Sequence, residues 1–218
     1  MKISLNFLKH YLDFDLPPVD ELVEVIGQRL GALEDRPVNL SEVYKDAVIV
    51  KVVECTPIEG SDHLNLCLID DGQKTKDVER AKSGLVQVVC GAPNVKAGAL
   101  AVWLPPGAVV PATFFKEPFT LEARSIQGQI SNGMLASPRE LNIADDHDGI
   151  LIIEEAIEPG SSFAAVYELE DSVIDIENKM FTHRPDCFGI LGVAREVSGI
   201  LNKPFKSPDW YLKAGSVE

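Results

Sequence analysis

Few of the 218 residues combine the types and spacings that covalent chemistry needs. Cys90 ends an apolar run with no histidine near it in sequence to take its proton. It therefore reads as a small buried hydrophobe rather than a nucleophile. Cys55, Cys67 and Cys187 are scattered without a Cys-x-x-Cys pair, which argues against a zinc site and against a disulfide framework. Asp145-Asp-His-Asp148 has cation-binding residue types, but ligands adjacent in sequence rarely converge on one ion, so the segment reads as a solvated loop. His183, Asp186, Arg195 and Glu196 suit hydrogen bonding, capping, packing or subunit contacts better than acid–base work. No Gly-x-x-x-x-Gly-Lys-Ser/Thr loop is present, so no Walker-type nucleotide site is encoded. The sequence predicts no catalytic residue and no metal ligand set.

What stands out instead is a pair of turn-rich clusters and the strands that must hold them. Val86, Val88, Val89 and Cys90 form an apolar, β-branched run closed by Gly91, Pro93 and Asn94. A second run, Leu100 to Leu104, follows Gly98 and stops at Pro105-Pro106-Gly107, with Trp103 expected in the core. Strand, tight turn, strand and corner predict a small all-β barrel. Further strands are expected at Ala47 to Glu54 (interrupted at Thr56-Pro57), at Asn65 to Asp70, and from Phe114-Phe115 and Phe119 to Ile126. A short one is expected at Gly133 to Ala136 and the last of the set at Gly149 to Glu154, and Pro138 to Leu141 should start a one- or two-turn helix. Asp71-Gly72 is a turn, and residues 73–84 read as an exposed loop or short helix carrying Lys74, Lys76, Arg80 and Lys82.

The flanks have a different pattern. Ser4 caps a short helix with Leu5, Leu8 and Leu12 on one face, ended by Leu16-Pro-Pro. A second helix runs from about Val19 to Leu30 and Gly31 stops it. Leu33 to Leu40 is extended. After Pro159-Gly160, Val173 to Asn178 alternates as a strand, and a helix follows from about Pro185 to Leu201.

A formal charge of −14 is unusual for a protein that meets nucleic acid, because such affinity comes largely from phosphate neutralisation. Residues 45–152 hold 10 basic and 14 acidic residues, a net of −4, so the flanks carry −10. No apolar run reaches the roughly 20 residues of a membrane helix, and the start lacks the apolar core of a secretory signal. A cytoplasmic protein with no membrane partner is the expectation.

Cys90-Gly-Ala-Pro-Asn94 and Ser131-Asn-Gly-Met134, with Ser137 and Glu140-Leu141, resemble the oligonucleotide-binding-fold domain of structure-specific tRNA-binding proteins. That domain also occurs in methionyl-tRNA synthetases and in the bacterial phenylalanyl-tRNA synthetase β subunit. Arg184-Pro-Asp-Cys187, Gly192-Val-Ala-Arg-Glu196 and the start Met1-Lys-Ile-Ser are similar to that β subunit in particular. The pattern departs in four places: His183 replaces the usual Asn, the early loop reads Pro57-Ile-Glu-Gly-Ser-Asp62-His-Leu64, residues 73–84 look inserted, and Gln127-Gly128 replaces Arg-Gly.

The resemblance implies an α+β fold, with an oligonucleotide-binding-fold β-barrel (42–153) inserted into a small mixed α/β domain formed by both flanks (1–41 plus 154–205). Residues 206–218 would begin a following segment. It implies a noncatalytic, amino-terminal part of the phenylalanine–tRNA ligase β subunit. The full enzyme uses ATP and magnesium and pairs with an α subunit in an α2β2 assembly, while this part needs no cofactor. The residues on the matched motif, Asn94, Lys96, Ser131, Asn132, Met134, Ser137 and Arg139, are then the candidates for tRNA contact. With so few cations, the contact is expected to be weak. The competing reading is an independent tRNA-binding or assembly-scaffold protein.

Overall fold

The computed structural model describes residues 1–206, and the expected segment 206–218 lies outside them from 207 onward. Contacts divide the chain into two units, Met1–Leu40 with the chain from Glu170, and Ser41–Leu169. In chain order the elements begin with Lys2–Ser4 (β1), Leu5–Lys9 (α1), Val19–Arg29 (α2), Val38–Asn39 (β2) and Leu40–Tyr44 (α3). Next come Val48–Pro57 (β3), Asn65–Asp70 (β4), Val86–Cys90 (β5), Leu100–Leu104 (β6), Ala123–Ile126 (β7) and Gln129–Asn132 (β8). Met134–Leu135 (β9), Ile152–Ile153 (β10), Ser161–Ser162 (β11), Phe163–Val166 (α4), Ser172–Asp175 (β12) and Ile190–Ile200 (α5) complete the set.

In the first unit β12 lies between β1 and β2, antiparallel to both. Ser4 caps α1 by accepting a hydrogen bond from the Phe7 amide at 3.0 Å, and Asp171 accepts from the Asn6 amide at 2.9 Å. Leu8, Leu22, Ile26, Ile174, Val193 and Val197 are among the side chains of the core. The expected helix from Pro185 is broken in two. Pro185–Cys187 form one 3-10 turn, Phe188 is extended, and Gly189 at φ 117° resets the chain before α5 starts. Arg184, Asp186, Arg195 and Glu196 form an ion-pair cluster on this surface, with Arg184 to Glu196 at 2.7 Å.

The second unit is built on a sheet ordered β10-β6-β3-β4-β5, with β11 also on β3 and β9 on β6. β3 is its hub. Residues 48–51 pair with β6, 51–57 pair with β4, and a register shift between Val52 and Glu54 lets one strand serve both. Thr56-Pro57 therefore does not interrupt the strand; Pro57 is its last residue, opposite Asn65, where the missing amide costs least. The ladder is open: among the described residues no strand pairing joins the β5 edge to the β10 edge. Val50, Val52, Ile69, Val88 and Trp103 are fully buried on it.

Four sequence expectations are corrected here. The downstream boundary lies at 169/170 rather than 153/154, because Ser161 and Ser162 pair with Ile49 and Val48 and the Phe163 ring meets Tyr44 at 5.8 Å. Phe114-Phe115 is not strand. Pro111–Thr113 coil into a 3-10 turn, and the Thr113 hydroxyl donates to Val110 O (2.8 Å) and accepts from the Phe119 amide (2.9 Å). Pro138 to Leu141 makes a single turn rather than a helix, and Asn142 leaves it at φ 57°. The hairpin β7–β8 was not read as two strands; Gln127 and Gly128, at φ 48° and 77°, make its two-residue turn.

Residues 73–84 form a loop with no helix, tied at its base by Arg80. The guanidinium donates to both oxygens of the fully buried Asp71 carboxylate at 2.7 and 2.9 Å, to Thr75 O at 2.8 Å and to Gly84 O at 3.0 Å. Burial alone would raise the Asp71 carboxyl, but the hydrogen bonds from Arg80 and the Thr75 amide outweigh it and hold the group well below the usual carboxylate range.

Two predictions follow from this packing. A Cβ at Gly133 (φ 76°) would collide with the Leu104 carbonyl oxygen, so Gly133→Ala should destabilise the fold by about 2–4 kcal/mol in urea unfolding. Arg80→Ala leaves a buried carboxylate unpaired and should cost about 3 kcal/mol at neutral pH. Because the folded Asp71 is more acidic than the unfolded one, the pair's contribution is complete above about pH 4 and is lost as pH falls further. The gap between wild type and variant should therefore narrow in acid; a gap of equal size at neutral and acid pH contradicts this account.

Candidate nucleic-acid interface

β5 presents an outer edge that β4 does not pair, and β8 approaches it through side chains. Ser131 Oγ accepts from the Val89 amide and donates to Gly133 O, both at 3.0 Å. Asn132 Nδ2 donates to Gln87 O at 3.1 Å, and Gln87 Nε2 donates to Ile130 O at 2.8 Å. The buried Trp103 indole N–H donates to Asn132 O at 2.8 Å. Ser131 and Asn132 are each 3% exposed, so their polar atoms are committed to this seam.

Asn94 is a second clamp. Its side chain donates to Ile150 O at 2.9 Å and accepts from the Ile150 amide at 3.0 Å, closing the loop after β5 onto the segment before β10. A Cβ at Gly149 would lie 2.5 Å from Asn94 Cγ, so this close approach needs a glycine. Ser137 and Glu140 form a capping box: the Ser137 amide and hydroxyl donate to Glu140 Oε2 at 2.7 and 2.8 Å, and the Glu140 amide donates back at 3.3 Å. This fixes the turn that carries Arg139.

These clamps frame a groove of about 640 Å³. Its floor is largely apolar, with Val89, Cys90, Val110, Leu135 and Ile150, while Met134, Arg139, His147 and Asp148 line it above. Burial pushes the Cys90 thiol up, away from thiolate, in keeping with a structural residue. Of the seven sequence candidates the groove brings together Met134, Ser137 and Arg139. Asn94, Ser131 and Asn132 stand behind it as its supports, and Lys96 is exposed on the loop after β5 outside the lining. Arg139 and Lys96 enter no ion pair or side-chain hydrogen bond among the described residues, unlike Arg80.

The sequence reading missed His147, taken as part of a solvated loop, and it missed two exposed aromatics. Ala112 and Thr113 line the groove, and the same segment runs on to Phe115 (61% exposed) and Phe119 (44% exposed), with Arg124 stacked 5.4 Å from the Phe119 ring centre. Assigning Phe114-Phe115 and Phe119 to Ile126 to a strand hid them. The signal was available: Pro111 and Pro118 bracket Phe114-Phe115, and Pro118 directly precedes Phe119, which makes a ladder strand unfavourable there. Elsewhere, Asp186, Cys187 and Glu196 approach one another closely enough to share a cation, but two arginines already neutralise both carboxylates. No helix among the described residues is long and apolar enough to cross a membrane.

The model of the family described as "Putative tRNA binding domain" matches residues 47–162, more than half of the 218. The phenylalanine–tRNA ligase beta subunit of Rhodopseudomonas palustris is 36% identical over 211 residues, which are 95% of this chain and 24% of that protein. That of Chlorobaculum tepidum is 37% identical over 202 residues (91% and 23%), and that of Syntrophus aciditrophicus 32% over 214 (97% and 24%). The chain thus spans about a quarter of the length of the curated relatives it matches. Among solved structures, Naegleria gruberi RNA ligase with PPi superposes at a TM-score of 0.35 with 17% identity, over 61% of this chain and 35% of that one, too loosely to bear on the argument. The family match encloses the whole groove and each of the clamps that shape it, and by it the chain belongs to the tRNA-binding-domain family.

Proposed function

We propose that this chain is a noncatalytic, tRNA-contacting amino-terminal part of a phenylalanine–tRNA ligase β subunit, and that the groove is where RNA meets it. The observation that carries the reading is the coincidence of the family match with a groove lined by an uncommitted Arg139, with exposed Lys96 on the loop after β5 and exposed Phe115 and Phe119 on the segment that continues from the lining residues Ala112 and Thr113. The second unit is read as an oligonucleotide-binding-type barrel in which the Ser131 and Asn132 bonds to β5 take the place of the missing ladder.

Within that reading Arg139 and Lys96 neutralise phosphates, Phe115 and Phe119 stack on unpaired bases, and Met134 makes apolar contact. Asn94, Ser131, Asn132 and Ser137 act through the backbone they hold. The full enzyme would attach phenylalanine to tRNA with ATP and magnesium, beside an α subunit in an α2β2 assembly in the cytoplasm. The names of the relatives support this, and the chain itself carries no phosphate-cradling loop.

Titration of the chain with tRNA tests the site. Affinity near physiological salt should lie at about 10⁻⁴–10⁻⁶ M, with a log–log salt slope of about −2 for roughly two phosphates. Arg139→Ala should weaken binding and flatten the slope by about 1. Phe115→Ala should cost about 1–3 kcal/mol and leave the slope unchanged. Nanomolar binding that survives high salt would remove the charge argument, and binding indifferent to both substitutions would remove the groove.

The purified chain should also show no phenylalanine-dependent ATP–pyrophosphate exchange. Exchange above background would mean that an activating site is present after all.

A further inference from the structure

Cys55 on β3 and Cys67 on β4 are directly opposed residues of an antiparallel pair, and their sulfur atoms lie 3.8 Å apart. Opposed residues in such a pair have Cα atoms about 4.5–5.5 Å apart, inside the ~4.4–6.8 Å that a disulfide spans. The two thiols differ in access. Cys55 is half-buried at the margin of the core, with its Sγ 3.9 Å from Val95 O, while Cys67 is fully buried. Cys90 is also buried in this core, but Cys67 is paired with Val88, so Cys90 is only a diagonal neighbour two residues along. An accessible thiol backed by a second one in reach is the arrangement in which oxidation resolves into a disulfide instead of running on to sulfinic acid.

We propose that Cys55 and Cys67 are a reversible oxidation site that closes a cross-strand disulfide when the protein meets a peroxide-class oxidant. The Cys55 thiolate attacks a peroxide oxygen; an S–O bond forms, the O–O bond breaks, and hydroxide leaves and takes up a proton as water. The Cys67 sulfur then attacks the Cys55 sulfur of the resulting sulfenic acid. An S–S bond forms, the S–O bond breaks, and the departing hydroxide takes the Cys67 proton. Two thiols and one peroxide thus give one disulfide and two waters, with the two electrons passing from sulfur to peroxide. Burial pushes the Cys67 thiol up, so the more accessible Cys55 meets the oxidant first, and Cys67 gives up its proton only as it attacks the sulfenic acid beside it. A dithiol reverses the reaction by exchange, and in a reducing cytosol the bond would be transient.

The test is a thiol map of the reduced chain exposed to hydrogen peroxide, then denatured, alkylated with iodoacetamide and digested. Alkylated cysteines should fall from the four free ones to two, with the Cys55 and Cys67 peptides joined and separated again by dithiothreitol. In Cys67→Ala, dimedone should trap a Cys55 sulfenic acid that the wild-type chain does not accumulate. Four alkylated thiols after oxidation, a link from Cys67 to Cys90, a link between two chains, or Cys55 sulfinic acid without a link would each overturn the proposal. The wild-type map decides even if the variant does not fold.

Discussion

The second unit depends on how the outer edge of β5 finds its hydrogen-bond partners. A strand edge left bare in a protein interior strands amide and carbonyl groups that each cost a kilocalorie or more. Here Ser131 and Asn132 supply partners from their side chains, bonding to the Val89 amide and the Gln87 carbonyl. Because side chains make the seam, the β8 backbone is released to turn at Gly133, and that turn delivers Met134 to the groove and Leu135 to its floor. Trp103 locks the same corner from beneath by donating to Asn132 O. The groove is thus a by-product of an edge satisfied by serine and asparagine in place of a further ladder.

Local chemistry was legible in the sequence and long-range commitments were not. The Ser4 cap, the strands β4, β5 and β6, the Asp71-Gly72 turn and the core position of Trp103 follow from residue types within a few positions of each other. The motif residues were legible as a set, but their division into supports and rim was not. Whether Ser131 faces a ligand or the Val89 amide depends on a residue 42 positions away. Arg80 read as one cation among several because nothing near it announces that the Asp71 carboxylate is fully buried. Ser161–Ser162 was too short to register as a strand, and it moved a domain boundary. Short strands are stabilised by the strand they join, which single-sequence patterns do not contain.

The RNA contact proposed above has to be reconciled with the acidity of the chain through geometry rather than composition. The field of a chain at −14 opposes a polyanion at long range, but screening limits that field to about 10 Å at ordinary salt. Within that distance the local inventory matters: Arg139 at the groove, Lys96 on the exposed loop after β5, and rings whose stacking carries no charge dependence. Such a surface is suited to an auxiliary contact in a larger assembly, where effective concentration supplies what intrinsic affinity lacks.

The tether at the base of residues 73–84 holds that excursion by its own polar groups. All four acceptors of the Arg80 guanidinium lie between Asp71 and Gly84, so the polar bonds at the base are internal to the segment, while Val78 packs against the core. Lys76 and Asp77, exposed at the tip, are the natural graft point, where a tag would ride on the protein while Val78 keeps its place against the core.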